Sequence, residues 1–384
     1  MGPPAALDTI PDLAQAVTSG LPGTRHQLSP AFGYTRRVPL IPGTERFAGM
    51  WLPVFHGDHH GWIKHDIAAY RIPNAQVSGQ GNIWLGGRLV TAPEIMPSYV
   101  AVSLDIAHGG NDRLHGPRAL PIRRIDRPCL VATGHGIRVY GHFLIQTLFR
   151  ILIARAALRA EGIRYGILME RSAPPWLLQI LTDHLAIPAD DIVFYDAETE
   201  QVELPYAILA SLPLQEAGFH PAARGMIQDL LTRIDFTGVP QTPRRVFVAR
   251  RRFNNPAGRF RICQNEGELI QIAARRHGFT PVIPEELSWP HQVALFRDAE
   301  MVLGLAGSGL HNALFSEAGS RVASIGVINF TQSEIGHLNR QHNAFLTDDI
   351  PIDGEFEVKN TVFTAYLDAV CEWPGGPPRP RRPS

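Results

Sequence analysis

The sequence predicts an α/β protein made of two successive Rossmann-like units facing a cleft, preceded by a β-rich N-terminal segment. Three observations carry this expectation. From Arg127 onward, buried-strand runs alternate with helical periods, the pattern of a parallel sheet covered on both faces. The alternation occurs twice, in rounds of roughly 110 residues, with the Pro/Gly-marked stretch TGVPQTP (237–243) between them. Before residue 126 the chain is instead dense in proline and glycine, with short β-type runs between turns. The expected division is therefore 1–125, 126–240 and 241–373, with a disordered tail at 374–384.

The elements follow in order. AAYRIPNAQVSGQGNIWLGGRLVTAPEI (68–95) reads as a meander of two or three strands, with GQG (79–81) in a hairpin. No helix pattern follows those glycines, so they make a poor dinucleotide loop. PCLVATG (128–134) is a buried strand, and HFLIQTLFRILIARAALRA (142–160) a long helix with apolar residues on most sides. RYGILME (164–170) is a strand, APPWLLQILTDHLA (173–186) a helix, and DIVFYD (191–196) and VELPYAILAS (202–211) are strands. The second round opens with the strand RRVFVAR (244–250) and the helix NEGELIQIAARRH (265–277), which Gly278 ends. FTPVIP (279–284), EMVLGLAG (300–307) and RVASIGV (321–327) are strands, alternating with helices at WPHQVALFRDA (289–299) and GLHNALFSEA (309–318). FTAYLDAVCEW (363–373) closes the unit as a helix, and the tail PGGPPRPRRPS is too rich in proline and arginine to fold.

Composition excludes several classes. Apolar residues make up 45% and charged residues 19%, which rules out a disordered chain and a heptad-rich coiled coil. No stretch approaches the ~20 apolar residues of a membrane span, and the start lacks a signal-peptide profile. Basic and acidic residues balance at 36 each, so no overall field draws the chain to nucleic acid. All the basic residues except Lys64 and Lys359 are arginine, whose flat fork of donors suits phosphates and carboxylates; a high-GC genome produces the same bias. Cys129, Cys263 and Cys371 are far apart and odd in number, which fits neither a disulfide framework nor a zinc site and points to a reducing, cytoplasmic compartment.

Four places are candidates for chemistry. In MVLGLAGSGLHNALF (301–315) a strand ends in Gly304, Gly307, Ser308 and Gly309, and a helix starts at once. Backbone amides there would make an anion site, although such glycines also simply let a chain reverse tightly. VARRRF (248–253) leaves a strand at the carboxyl end, where doubly wound sheets place ligands, and Arg261 lies just before Asn265, a helix cap. Arg250 and Arg261 would clamp a diphosphate by bidentate bonds, the competing reading being a solvated loop. His142 would begin the long helix, where it acts as a base or merely caps. FHGDHHGW (55–62) offers His56, Asp58, His59 and His60 as acceptor contacts, metal ligands or an ordinary polar turn; adjacent histidines converge poorly on one ion.

From about Arg127 to Gly326 the chain resembles glycosyltransferase family 61, in the bacterial capsular polysaccharide biosynthesis type. YGHFLIQTLFR (140–150) is similar to the family's Tyr-x-His-aromatic-Leu helix start, and VFVARR (246–251) to its Ser-Arg strand end, with Ala249 where serine is usual. RICQNEGEL (261–269) resembles the Arg-x-x-x-Asn-Glu element, and VIPEELSWPHQVALFRDAEMVLGLAGSGLHNALF (282–315) the stretch that ends in Gly-x-x-Leu-x-Asn-x-x-Phe. One departure is Ala306-Gly307-Ser308 where many members carry His-Gly-Ala, so that Ser308 or His311 would have to serve instead.

The resemblance implies a GT-B fold and an inverting hexosyl- or pentosyltransferase. Such an enzyme moves sugar from a nucleotide-diphosphate donor to a glycan hydroxyl, without metal or other cofactor. On that reading Arg250, Arg261 and the amides at Gly307–Gly309 stabilise the leaving diphosphate, and Asn265, Glu266, Gln292 and Asn312 hold ribose, base or sugar hydroxyls. His142 is the base, with Asp58 or His59 in reserve. The β-rich segment faces the acceptor, and a polysaccharide assembly complex is the expected partner. The alternatives are a GT-B-type nucleotide-sugar epimerase or hydrolase, and an inactive scaffold within such a complex.

Overall fold

The computed structural model describes residues 9–36, 59–63, 65–95, 120–134, 136–215, 218–250, 262–327, 329–347 and 354–372. The chain divides into two compact units, Met1–Tyr34 with Gly61–Asp229, and Thr35–His60 with Leu230–Ser384. The division thus falls between Asp229 and Leu230, ahead of the proline-marked stretch at 237–243. Among the described residues no helix is long and apolar enough to cross a membrane.

The first unit is built on one mixed sheet of ten strands. Its central strands are β1 (Ile67–Ser78), β2 (Asn82–Leu85), β3 (Arg88–Val90), β4 (Cys129–Val131), β5 (Gly166–Glu170), β6 (Ile192–Tyr195) and β7 (Gln201–Ala210). The meander is three strands, β1 to β3, and Gly79 and Gly81 turn its first hairpin with φ of 52° and 91°, which glycine adopts without strain. β4, β5 and β6 are parallel neighbours, as the alternating pattern requires. The β-rich strands nevertheless do not stand apart from them. β7 runs parallel to β4 on one side and antiparallel to β1 on the other, with Val202 opposite Val77 and Ala210 opposite Ala69. One core, including Tyr70, Ile72, Val77, Leu168, Tyr195 and Leu204, therefore spans both halves of the sheet.

The long helix of this unit comes in pieces. An α-turn at Tyr140–His142 passes into a π-helix at Phe143–Thr147 and then into α1 (Leu148–Leu158). Every residue from Phe143 to Ala154 is buried, which is why the apolar residues surround it. Arg150 is enclosed as well, at 7% exposure, and donates to the carbonyls of Thr133 (2.8 Å) and Ile95 (2.9 Å). A buried charge survives only with such partners.

The second unit is a five-stranded, wholly parallel sheet of β8 (Arg245–Val248), β9 (Thr280–Val282), β10 (Met301–Leu305), β11 (Arg321–Ile325) and β12 (His342–Leu346). Its order is β9-β8-β10-β11-β12, so that the winding reverses between β8 and β10. One face packs on α4 (Glu266–His277) and α7 (Asn360–Glu372), after α2 (Pro175–Gln179) and α3 (Ala222–Leu231) earlier in the chain. α4 ends on Gly278 at φ 69°, and its last-turn residues Arg276 and His277 both bond Asp368 of α7. α5 (Trp289–Asp298) and α6 (Phe330–Leu338) complete the unit. α6 escapes a pattern reading because it buries a run of polar residues. Gln332, Ser333 and Glu334 are buried at 2%, 3% and 0% exposure, and Asn343 of β12 donates to the Gln332 carbonyl at 3.1 Å.

Candidate active site

The reversal between β8 and β10 marks the place where a doubly wound sheet opens a crevice at its carboxyl edge. Val248 and Gly304 face each other in register there, and the chain leaves the two strands as Ala249-Arg250 and Ala306-Gly307-Ser308. The Arg250 guanidinium crosses from one to the other, its Nη1 donating to the Ala306 carbonyl at 2.9 Å. It lies directly against Gly307: a methyl group there would sit 3.1 Å from Nη1 and 3.3 Å from Cζ. The Arg250 backbone N–H donates to Oε1 of Glu266, 2.8 Å away. The structure thus brings a cation and the small-residue turn to one edge of one sheet.

The glycines of this turn do different things. A methyl on Gly304 would lie 2.7 Å from the Val248 carbonyl oxygen, and one on Gly309 3.3 Å from Val248 Cγ1, so both serve close packing on β8. Gly307 alone makes room for the guanidinium. The short helix expected over 309–318 is a 3₁₀ helix, Ser308–Phe315, entered through Gly307 in extended conformation (φ 168°, ψ 176°). Tight packing of Gly309 on Val248 and of Leu310 over Gly304 draws this segment onto the sheet.

The remaining donor-side candidates turn inward. Asn265 occupies the cap position of α4 but makes no capping bond; its amide instead brackets Val358, donating to the carbonyl at 2.8 Å and accepting from the N–H at 3.1 Å. Asn312 is fully buried and donates to Gln292 Oε1 (3.4 Å) and the Gly309 carbonyl (3.3 Å), while Gln292 donates to the Leu287 carbonyl. His311 is buried at 8% exposure, and Ser308 is half-buried beside Gly307. Glu266 is 4% exposed and holds Arg250. Arg261 lies outside the described residues.

In the first unit His142 is half-buried at the carboxyl edge of β4, as the third residue of the helical run rather than its first; Val139 is the cap. Its ring packs over Gly136, where a methyl would approach Cγ to 2.7 Å. Gly136 holds φ at +82°, so both its conformation and its size place the imidazole. The π-turn that follows at once is a rare geometry, frequent at functional sites, and the unit holds a second one at Ile180–His184. Asp58 lies outside the described residues, as does the side chain of His59, which opens the strand His59–Ile63. Among the described residues no group of three or more His, Cys, Asp or Glu is placed to hold a metal ion.

Pattern reading passed over Glu170, the carboxylate that ends β5 at 8% exposure and accepts a hydrogen bond from the Ser172 hydroxyl. The signal was present: RYGILME closes a wholly buried run on a charged residue. Burial, and then the neighbouring Glu170 charge, push the Tyr195 hydroxyl well above its ordinary pKa, and that hydroxyl donates to the Gly79 carbonyl at 2.7 Å. The cysteines are free thiols, and burial pushes each of them up to about 11, which leaves them unreactive at neutral pH.

Residues 140–323 match the family described as Glycosyltransferase 61. The family inferred from the ordered motifs is the family matched, and the stretch runs from Tyr140, two residues before His142, past Arg250 to the Gly307–Asn312 turn. The matched family is one of glycosyltransferases, enzymes that act on a sugar donor and an acceptor. No curated protein matches the chain.

Proposed function

We propose, from the membership of residues 140–323 in glycosyltransferase family 61, that the protein is an inverting glycosyltransferase. It transfers a hexose or pentose from a nucleotide-diphosphate donor to a glycan hydroxyl, without a metal ion. The observation that carries this reading is the Arg250 guanidinium laid across Gly307 at the reversal of the second unit's sheet. A donor diphosphate there would meet a fixed cation and the backbone amides of Gly307–Gly309, and the second unit is the donor side in this proposal.

In the reaction the acceptor oxygen bonds to the anomeric carbon as the bond from that carbon to the diphosphate oxygen breaks, which inverts the centre. The electron pair leaves with the diphosphate, whose added charge Arg250 stabilises. His142, on the first unit, takes the acceptor's proton, with Asp58 and His59 as the alternative bases. An arginine fork supplies the charge that a divalent cation supplies elsewhere, and this is what supports metal independence. The test is turnover of a panel of nucleotide sugars with and without a glycan acceptor, in EDTA and after added manganese. Transfer that persists in EDTA is expected. Activity lost to EDTA and restored by manganese would replace the arginine mechanism. Sugar release that ignores the acceptor would make the protein a hydrolase or epimerase.

A second reading rests on Ala306, which stands where the resemblance places a histidine in many members and is buried at 2% exposure. An inactive scaffold of a cytoplasmic, capsule-type assembly complex would bind donor without turning it over in the same panel.

A further inference from the structure

Glu266 is a carboxylate that touches the residue on which the donor site depends, and the contact is of an unexpected kind. It sits at the first position of α4, 4% exposed, and its Oε1 accepts from the backbone N–H of Arg250 at 2.8 Å. Buried carboxylates need such donors, and a bond of this charge-assisted type is short and directional. The next residue back, Asn265, grips both polar groups of Val358, so the start of α4 is itself fixed. Glu266 therefore transmits a fixed position to the Arg250 backbone, two residues beyond the end of β8. From there the side chain runs to the Ala306 carbonyl and over Gly307.

Resting on the donor-site reading above, we infer that Glu266 is a positioning residue for Arg250, acting through its backbone, and not a group that contacts the ribose or sugar hydroxyls. Without the carboxylate the Arg250 N–H loses its partner, the strand end can turn, and the guanidinium no longer arrives at Gly307 in one geometry. The requirement is for an acceptor oxygen at that reach.

The experiment is calorimetric titration of Glu266→Ala, Glu266→Gln, Glu266→Asp and Arg250→Ala with two probes, UDP and inorganic pyrophosphate. Glu266→Ala should weaken both probes equally, by about tenfold, since a half-buried N–H loses its charged acceptor. Glu266→Asp keeps the charge but shortens the reach by one methylene, and should behave like the alanine variant. Glu266→Gln keeps the acceptor oxygen and should bind both probes within about threefold of wild type, which also covers the case in which the alanine variant does not fold. Combining Glu266→Ala with Arg250→Ala should add little to Arg250→Ala alone, the mark of groups acting as one unit. Loss of UDP binding with pyrophosphate unchanged would make Glu266 a ribose contact and overturn the inference. A lower melting temperature with wild-type affinity would reduce it to fold stability and overturn it equally. Wild-type UDP affinity in Arg250→Ala would remove the donor-site reading and the inference with it.

Discussion

Gly307 and Gly136 each leave room for one candidate side chain, Arg250 and His142, and this gives two substitutions whose effects separate geometry from folding. Gly307 is extended, a conformation any residue adopts, so Gly307→Ala should leave the melting temperature unchanged. Its methyl would stand 3.1 Å from Arg250 Nη1, however, and the guanidinium must move aside. Affinity for UDP should therefore drop about three- to tenfold, measured by calorimetry. For His142 the expectation is catalytic: His142→Ala should cut turnover by ~10²–10⁴-fold and leave UDP binding intact. Lower thermal stability with activity per folded molecule preserved would return His142 to a structural role. The places of Arg250, Gly307 and His142 at strand ends and turns were legible in the sequence, because such junctions announce themselves. The inward turn of Asn265, Gln292 and Asn312 was not, since an amide looks the same whether it meets a ligand or a backbone carbonyl.

The strands and helices of the second unit hold that turn, and two contacts between them can be tested on their own. A methyl on Gly304 would lie 2.7 Å from the Val248 carbonyl and 2.9 Å from Val248 Cβ, inside the pairing of β8 with β10. Neither atom can swing away, so Gly304→Ala should cost about 1–3 kcal/mol of stability in denaturant unfolding. Across α4 and α7, the Arg276 guanidinium and then His277 hold the Asp368 carboxyl down to about 2. A carboxylate with a depressed folded pKa adds stability above its unfolded value of roughly 3.9, which is lost as pH falls toward 2. Asp368→Asn should flatten the acid limb of the stability curve between those values while leaving its slope at neutral pH unchanged. Most elements of this unit follow from periodicity. α6 does not, because it buries Gln332, Ser333 and Glu334 beside Ile335, and a pattern built on apolar burial misreads such polar residues as exposed.

For the whole chain, the alternation of strand and helix foretold an α/β fold, and the wholly parallel sheet of the second unit agrees with that class. The first unit went further than its sequence suggested. β7 read as a strand that ends a unit, yet it pairs along most of its length with β1, more than a hundred residues earlier in the chain. Pairing at that separation leaves no local trace, because each strand buries its apolar residues whichever neighbour it has. What joins the fold to the proposed function is narrower, a single arginine placed at the winding reversal of the second sheet. The most direct measurement is calorimetric titration of wild type and Arg250→Ala with UDP and with other nucleoside diphosphates. Arg250→Ala should weaken the diphosphate that wild type prefers by ~1.5–3 kcal/mol, the range for hydrogen bonds to charged groups, with the melting temperature preserved. Equal affinity in the two proteins, both folded, would contradict the assignment of the donor site to Arg250.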